Sequence, residues 1–330
     1  MSTEKRKMDH IRACLTKDVS FSRTTGFERY DLVHNPLPEI NLDDVDMSVS
    51  FLGRKLSAPL VIGAMTGGTR EAGKINRNLA KAAQELGIGM FLGSQRAMIE
   101  NPKLASTFSV RDVAPDIFLA GNIGASHISG SGASAIDDAL DKVGADALAV
   151  HLNPAQEIAQ HDGHEKWKGI LASIKKLRSG LKRPLIVKEV GCGIPGEKAV
   201  MLEQAGADAI DVAGAGGTSW VKVDSFINGK KLDNFFDWGI PTASCLDQCA
   251  GRVKIPVIAS GGIRTGVDIA KALARGAWLA GIALPLLKPA TKSSGEVVKA
   301  LERVLEDLRT AMFLTGSRRP GELAGKAVKI

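Results

Sequence analysis

Short, nearly uninterrupted apolar runs alternate along the 330-residue chain with longer amphipathic stretches. The runs are PLVIGAM (59–65), GIGMFLG (87–93), IFLAGNIG (117–124), ADALAVHL (145–152), PLIVKEVG (184–191), ADAIDVAGAGG (207–217), PVIASGG (256–262) and AWLAGIAL (277–284). They do not alternate between apolar and polar positions, so they predict parallel strands covered on both faces. Between them, INRNLAKAAQELG, WKGILASIKKLRSG, EKAVMLEQAGA and GVDIAKALARGA repeat apolar positions with helical spacing. Gly87, Gly144, Gly206 and Gly276 stand where such helices stop. LGI, VGADA, AGADA and RGAWL read as near-repeats of one helix-to-strand connection.

Eight strand–helix units of this kind predict an α/β fold: a single (β/α)8 TIM barrel with an N-terminal accessory segment. A doubly wound sheet is the alternative, and such sheets usually have fewer strands. Residues 1–58 form the accessory segment, with a helix over 5–14 and a hairpin over 47–56. The barrel covers 59–316, ending in a helix over 293–316, and 317–330 are a basic tail.

Composition narrows the function. Hydrophobic residues make up 44%, and mean hydropathy is +0.02, ordinary for a globular protein. The 36 glycines gather at the ends of apolar runs, which marks turns and close backbone approaches. Aromatic residues are only 5%, with one Tyr, which argues against platforms that stack bases. The net charge of +7 is dispersed, so it favours small anionic ligands over nucleic acid. Cys14, Cys192, Cys245 and Cys249 form no C-x-x-C pair and read as reduced thiols. No apolar run reaches ~18 residues and MSTEKRKMDH is charged, so a cytoplasmic protein without a membrane span is expected.

In a TIM barrel the chemistry gathers at the C-terminal ends of the strands. The runs end in AMTGG, GSQR, GNIG, HLNP, KEVG, GAGGT, SGGIR and AL, whereas their starts carry only Pro, Ala and Asp. Gly261 and Gly262, with Arg264 and the following helix start, suit a phosphate. GAGGT adds a second glycine cluster and the Thr218 hydroxyl. Lys188 carries a charge into an apolar run, where it must pair with an anion or lose its proton. It suits either a Schiff base or the negative edge of a bound ring. His151, Asn153 and Gln160 lie beyond the fourth run, followed by HDGH, whose spacing matches no zinc pattern but leaves room for a hard ion on one carboxylate. Ser94 sits in no nucleophile elbow, so an organic cofactor is expected to carry the chemistry.

RKMDHI, AMTGGT, GSQRAMIE, HLNPAQE, VKEVGCGI, GAGGTSW, DWGIPT and SGGIRTGVDIAKALARGA, in this order, resemble the type 2 isopentenyl-diphosphate isomerases over residues 5–316. The resemblance implies FMN in reduced form, with NADPH as reductant and Mg2+, and interconversion of isopentenyl and dimethylallyl diphosphate. It implies a flavin lined by Ala64, Met65, Thr66 and Gly67. Ser94 and Asn122 would bond the ring, with Lys188 at its anionic edge. The flavin phosphate would rest on Thr218, Gly261, Gly262, Arg264, Ala283 and Leu284. Arg6, Lys7, His10, Ser94, Gln95, Arg96 and Gln160 are implied on the substrate's diphosphate side, and His151 and Asn153 on its isoprenoid part. The family's Pro-Glu-Gly after Gln160 is replaced by His161-Asp162-Gly163, leaving Asp162 as the implied metal ligand. Ala213 stands where the family often has a hydroxyl. A homotetramer or homo-octamer is also implied. Two other readings stay open: an FMN-dependent oxidoreductase of the hydroxy-acid oxidase type, and a flavin-free phosphate binder or Lys188 aldolase. The first needs a late-barrel histidine, and 256–284 contain none.

Overall fold

The computed structural model describes residues 3–330, with residues 3, 129 and 131 described for the backbone alone. Residues 1 and 2 of the expected accessory segment lie outside the described residues. The apolar runs become the strands β1 (Leu60–Ile62), β2 (Gly89–Phe91), β3 (Leu119–Gly124), β4 (Ala147–His151), β5 (Leu185–Lys188), β6 (Ala209–Asp211), β7 (Val257–Ser260) and β8 (Leu279–Ile282). All pair in parallel, and β8 closes on β1 through Ala280↔Leu60, Gly281↔Val61 and Ile282↔Ile62. The fold is therefore a (β/α)8 barrel.

Two apolar layers result from the strands being covered on both sides. Alternate residues such as Val61, Phe91, Ala120, Ala149, Ile186, Ile258 and Leu279 fill the barrel's interior. Their neighbours Leu60, Ile62, Met90, Leu119, Leu148 and Leu185 face the surrounding helices. The hairpin Val49–Phe51/Arg54–Leu56 plugs the N-terminal end: Phe51 and Leu56 join the interior layer, and Phe51 meets Phe118 edge-on at 5.1 Å. The opposite end stays open for chemistry.

The accessory helix spans Thr3–Thr16, slightly longer than its pattern suggested. It packs beside the helices Trp220–Asn228 and Leu284–Lys292 over the open end. The second of these was not apparent in the sequence, because Pro285 and Pro289 interrupt its pattern. The 317–330 segment is more than a tail: its strand Ala327–Lys329 runs antiparallel to Tyr30–Leu32.

Candidate active site

The accessory helix exposes one face to the barrel mouth. Arg6, Lys7, His10, Ile11 and Cys14, spaced at helical intervals, all line a cavity of about 210 Å³. The strand ends supply the rest of the wall. Ala64, Met65, Thr66, Ser94, Arg96, Asn122, His151, Asn153, Gln160, Lys188, Thr218, Gly261, Gly262, Arg264, Ala283 and Leu284 line it as well.

Three expected residues do not. Gly67 is glycine for packing: a Cβ there would sit 1.9 Å from the Phe108 ring. Gln95 is buried behind the wall, where its Oε1 accepts the Asn122 N–H at 3.0 Å. Asp162 is an exposed carboxylate, 2.8 Å from His161 Nδ1 and outside the lining.

The late rim forms an anion cup. Gly261 and Gly262 adopt φ of +95° and +82°, which an L side chain resists. A Cβ on Gly217 would come within 2.5 Å of Gly262 N, so the two glycine loops touch only because both lack side chains. Just ahead of the helix Gly266–Ala274, Arg264 N and Thr265 N donate to Asp268, and Asp268 N to Thr265 Oγ1, in a capping box that fixes the loop carrying Arg264. The cup is framed by the two glycine loops and by the start of the helix Leu284–Lys292.

Beneath the cup, Lys188 Nζ stands 3.6 Å from Asp211 Oδ2, with both side chains almost fully enclosed. Asp211 Oδ1 accepts from Ser260 Oγ at 2.6 Å and from Ala213 N at 3.2 Å. Lys188 also donates to Glu189 O. The Glu189 carboxylate in turn clasps the amides of Val190, Gly191 and Cys192, shaping the lining after β5. Burial raises the pKa of Glu189 despite those bonds.

Opposite the cup, cations crowd together. Burial, and the charges of Arg6 and Arg96, push Lys7 down to about 8 against the pull of Asp224. Arg6 donates to Gln160 Oε1 at 3.2 Å, and Arg96 pairs with Glu100 at 2.6 Å and lies 3.2 Å from His127 Nε2. His151 Nδ1 is held 2.7 Å from Asn122 Oδ1, and burial and then Lys188 lower its pKa to about 3. His151 is a neutral imidazole at physiological pH.

Several lining or supporting residues escaped the sequence reading, His127, Asp211 and Ser260 among them. Gln156 and Glu157 lie one turn from Asn153 on the helix Pro154–Ala159 and face the cavity. Asn153 Nδ2 donates to both, at 3.2 and 2.9 Å. Asp224, fully buried, accepts from Gln156 Nε2 at 3.1 Å and lies 2.9 Å from His10 Nε2. Trp220 meets the His10 ring edge-on at 5.3 Å. HLNPAQE carried the first pair in plain view, because residues three and four apart share a helix face. Asp224 gave no signal, since a lone acid in a helix resembles any solvated charge.

A barrel with bare amides along its late rim and a helix-borne set of cations above them is a phosphate-binding (β/α)8 barrel. Residues 2–104 and 132–330 match the model of the FMN-dependent dehydrogenases. The chain is 48% identical to an isopentenyl-diphosphate delta-isomerase of Thermococcus kodakarensis, with 96% of this chain and 89% of that one covered. It is 47% identical to one of Methanothermobacter thermautotrophicus (98% and 93% covered) and 46% identical to one of Mycolicibacterium gilvum (98% and 96% covered). The chain belongs to the FMN-dependent dehydrogenase family and, within it, to the isopentenyl-diphosphate delta-isomerases. Among solved structures it resembles a chimeric (S)-mandelate dehydrogenase mutant, with TM-score 0.70, 20% identity, and 99% and 97% of the two chains covered. Mandelate oxidase with (S)-2-phenylpropionate gives TM-score 0.68, 20% identity, and 99% and 96% covered. At that identity the likeness concerns the fold alone.

The residues present fit FMN. Thr66 Oγ1 and Asn153 Oδ1, on residues that line the cavity, are buried polar atoms without a protein partner. The glycine cup keeps its shape only without side chains, since a Cβ on Gly216, Gly217, Gly261 or Gly262 would come within 2.5 Å of a neighbouring segment.

Proposed function

We propose that this protein interconverts isopentenyl and dimethylallyl diphosphate, with reduced FMN as its acid–base group, NADPH as reductant and Mg2+ as counter-ion. The reaction adds a proton to the terminal alkene carbon of isopentenyl diphosphate and removes one from the carbon between the alkene and the diphosphate-bearing methylene. The double bond moves and nothing is oxidised. Reduced FMN, when bound, supplies an electron-rich ring that steadies developing positive charge and takes part in proton transfer. The protein residues do the rest. Thr218, Gly261, Gly262, Arg264, Ala283 and Leu284 hold the flavin phosphate, with Ala64, Met65, Thr66, Ser94, Asn122 and Lys188 along the ring. Arg6, Lys7, His10, Arg96 and Gln160 take the substrate's diphosphate, guanidinium and ammonium groups being matched to it. His151 and Asn153 bound the isoprenoid part. A neutral His151 with its Nδ1–H committed to Asn122 orients and excludes water and is no strong acid.

The metal reading moves from Asp162 to Glu157. Glu157 lines the cavity beside the diphosphate cations, while Asp162 faces solvent. A hard ion needs only one such carboxylate plus substrate oxygens.

The observation that carries the reading is the accessory helix placing Arg6, Lys7 and His10 over a flavin-type rim. The hydroxy-acid oxidase alternative lacks its late-barrel histidine: the cavity's histidines are His10, His127 and His151. The Lys188 aldolase is also disfavoured, because that ammonium is paired with Asp211. Among the described residues no helix is long and apolar enough to cross a membrane; a homotetramer or homo-octamer in the cytoplasm is part of the same proposal. The test is anaerobic incubation of the protein with FMN, NADPH, Mg2+ and isopentenyl diphosphate. Dimethylallyl diphosphate is the expected product, and its absence overturns the reading.

A further inference from the structure

The motif DWGIPT supplies no lining residue, yet its last member is fully enclosed: Thr242 opens the helix Thr242–Cys249 behind the anion cup. Its hydroxyl lies 2.5 Å from Gly261 O, with Ser260 O at 3.3 Å and Ala215 O at 3.5 Å. A hydroxyl has one proton to donate, and Gly261 O is the nearest acceptor. Gly214 lets Thr242 come this close, since a Cβ on Gly214 would stand 2.5 Å from Thr242 Cα.

A trans peptide is planar, with its C=O and the following N–H on opposite sides. Drawing Gly261 O back onto Thr242 therefore turns the Gly262 N–H the other way, to the side where Gly261 and Gly262 line the cavity. Among the described residues that N–H has no protein acceptor. The other glycine loop is set in the same manner. Phe21 N–H donates to Gly217 O at 2.9 Å, which turns the Thr218 N–H away from the N-terminal segment. Each cup peptide is thus aimed by a donor standing behind it.

We propose that Thr242 is a positioning residue: it aims the Gly262 amide at the flavin phosphate and so sets the preference for FMN over riboflavin. This rests on reading the cup as the FMN phosphate site. Three full-length variants test it, each freed of flavin: Thr242→Ser, Thr242→Ala and the near-isosteric Thr242→Val. Titrating FMN and riboflavin against each by flavin fluorescence gives two dissociation constants per protein. Serine keeps the wild-type ratio of the two. Alanine and valine weaken FMN by about tenfold, the worth of one aimed hydrogen bond, and leave riboflavin unchanged. A role in packing alone would weaken both ligands by the same factor, and that result, or no change at all, overturns the proposal. Should valine prevent folding, the serine–alanine pair still decides, because those two differ only by the hydroxyl. If the wild type itself binds riboflavin as tightly as FMN, the reading of the cup falls, and the role of Thr242 with it.

Discussion

Replacing Lys188 by Met tests the electrostatic floor of the site. The ammonium and the Asp211 carboxylate are 3.6 Å apart, with side chains 8% and 4% exposed. At that distance, with an effective dielectric of ~20, the attraction is about 4 to 5 kcal/mol. Methionine matches the volume of lysine, so packing changes little, but Asp211 keeps only the Ser260 hydroxyl and the Ala213 amide. Stranding one member of an enclosed pair costs about 3–5 kcal/mol. With an unfolding slope of ~3 kcal/mol per molar urea, the midpoint of the flavin-free protein should fall by about 1 to 1.7 M. Changing Asp211→Asn in the same chain should recover most of that loss, because no unpaired charge then remains. Urea titrations followed by tryptophan fluorescence and circular dichroism measure both variants. A Lys188→Met midpoint within ~0.3 M of wild type, or a double variant no better than the single, would refute the argument.

Further changes probe the cavity and its surroundings. Arg6→Ala should raise the KM for isopentenyl diphosphate by about tenfold to a hundredfold, the worth of a charge-assisted bond, with FMN affinity unchanged; an equal loss of FMN would place Arg6 on the cofactor. Lys7 is charged below about pH 8 and neutral above it, so wild-type kcat/KM should fall as pH rises through 8. Lys7→Arg should lack that alkaline limb, because a guanidinium keeps its proton. Glu157→Gln should raise the Mg2+ concentration needed for half-maximal rate at least ~tenfold, as losing the one protein carboxylate on a hard ion demands, while Asp162→Asn leaves it unmoved; the reverse order would return the metal to Asp162.

The barrel was legible because its strands are enclosed on both sides, so each is a short apolar run whose length and bounding glycines and prolines, not its periodicity, set it apart from the longer amphipathic helices. Pro285 and Pro289 hid the helix after β8, since prolines in its body mimic a loop. Site residues followed from their position at strand ends, which says where a backbone emerges and nothing about where a side chain turns. Gln95 shows the limit: it emerges beside Ser94, yet bonds the neighbouring strand from behind. Gly67 shows another, since the ring that demands a glycine there belongs to Phe108, far along the chain. Gln156 and Glu157 could have been found by applying helical spacing to Asn153. Asp224 could not, because it meets His10 only across 214 residues of chain.

The ribbon that joins Tyr30–Leu32 to Ala327–Lys329 carries a consequence for biosynthesis. The early strand leaves the ribosome hundreds of residues before its partner exists. Until then, the segment that follows the helix bearing Arg6, Lys7 and His10 lacks this anchor. That helix still has its own seat, against the helices Trp220–Asn228 and Leu284–Lys292, so the ribbon reinforces a placement that packing already defines.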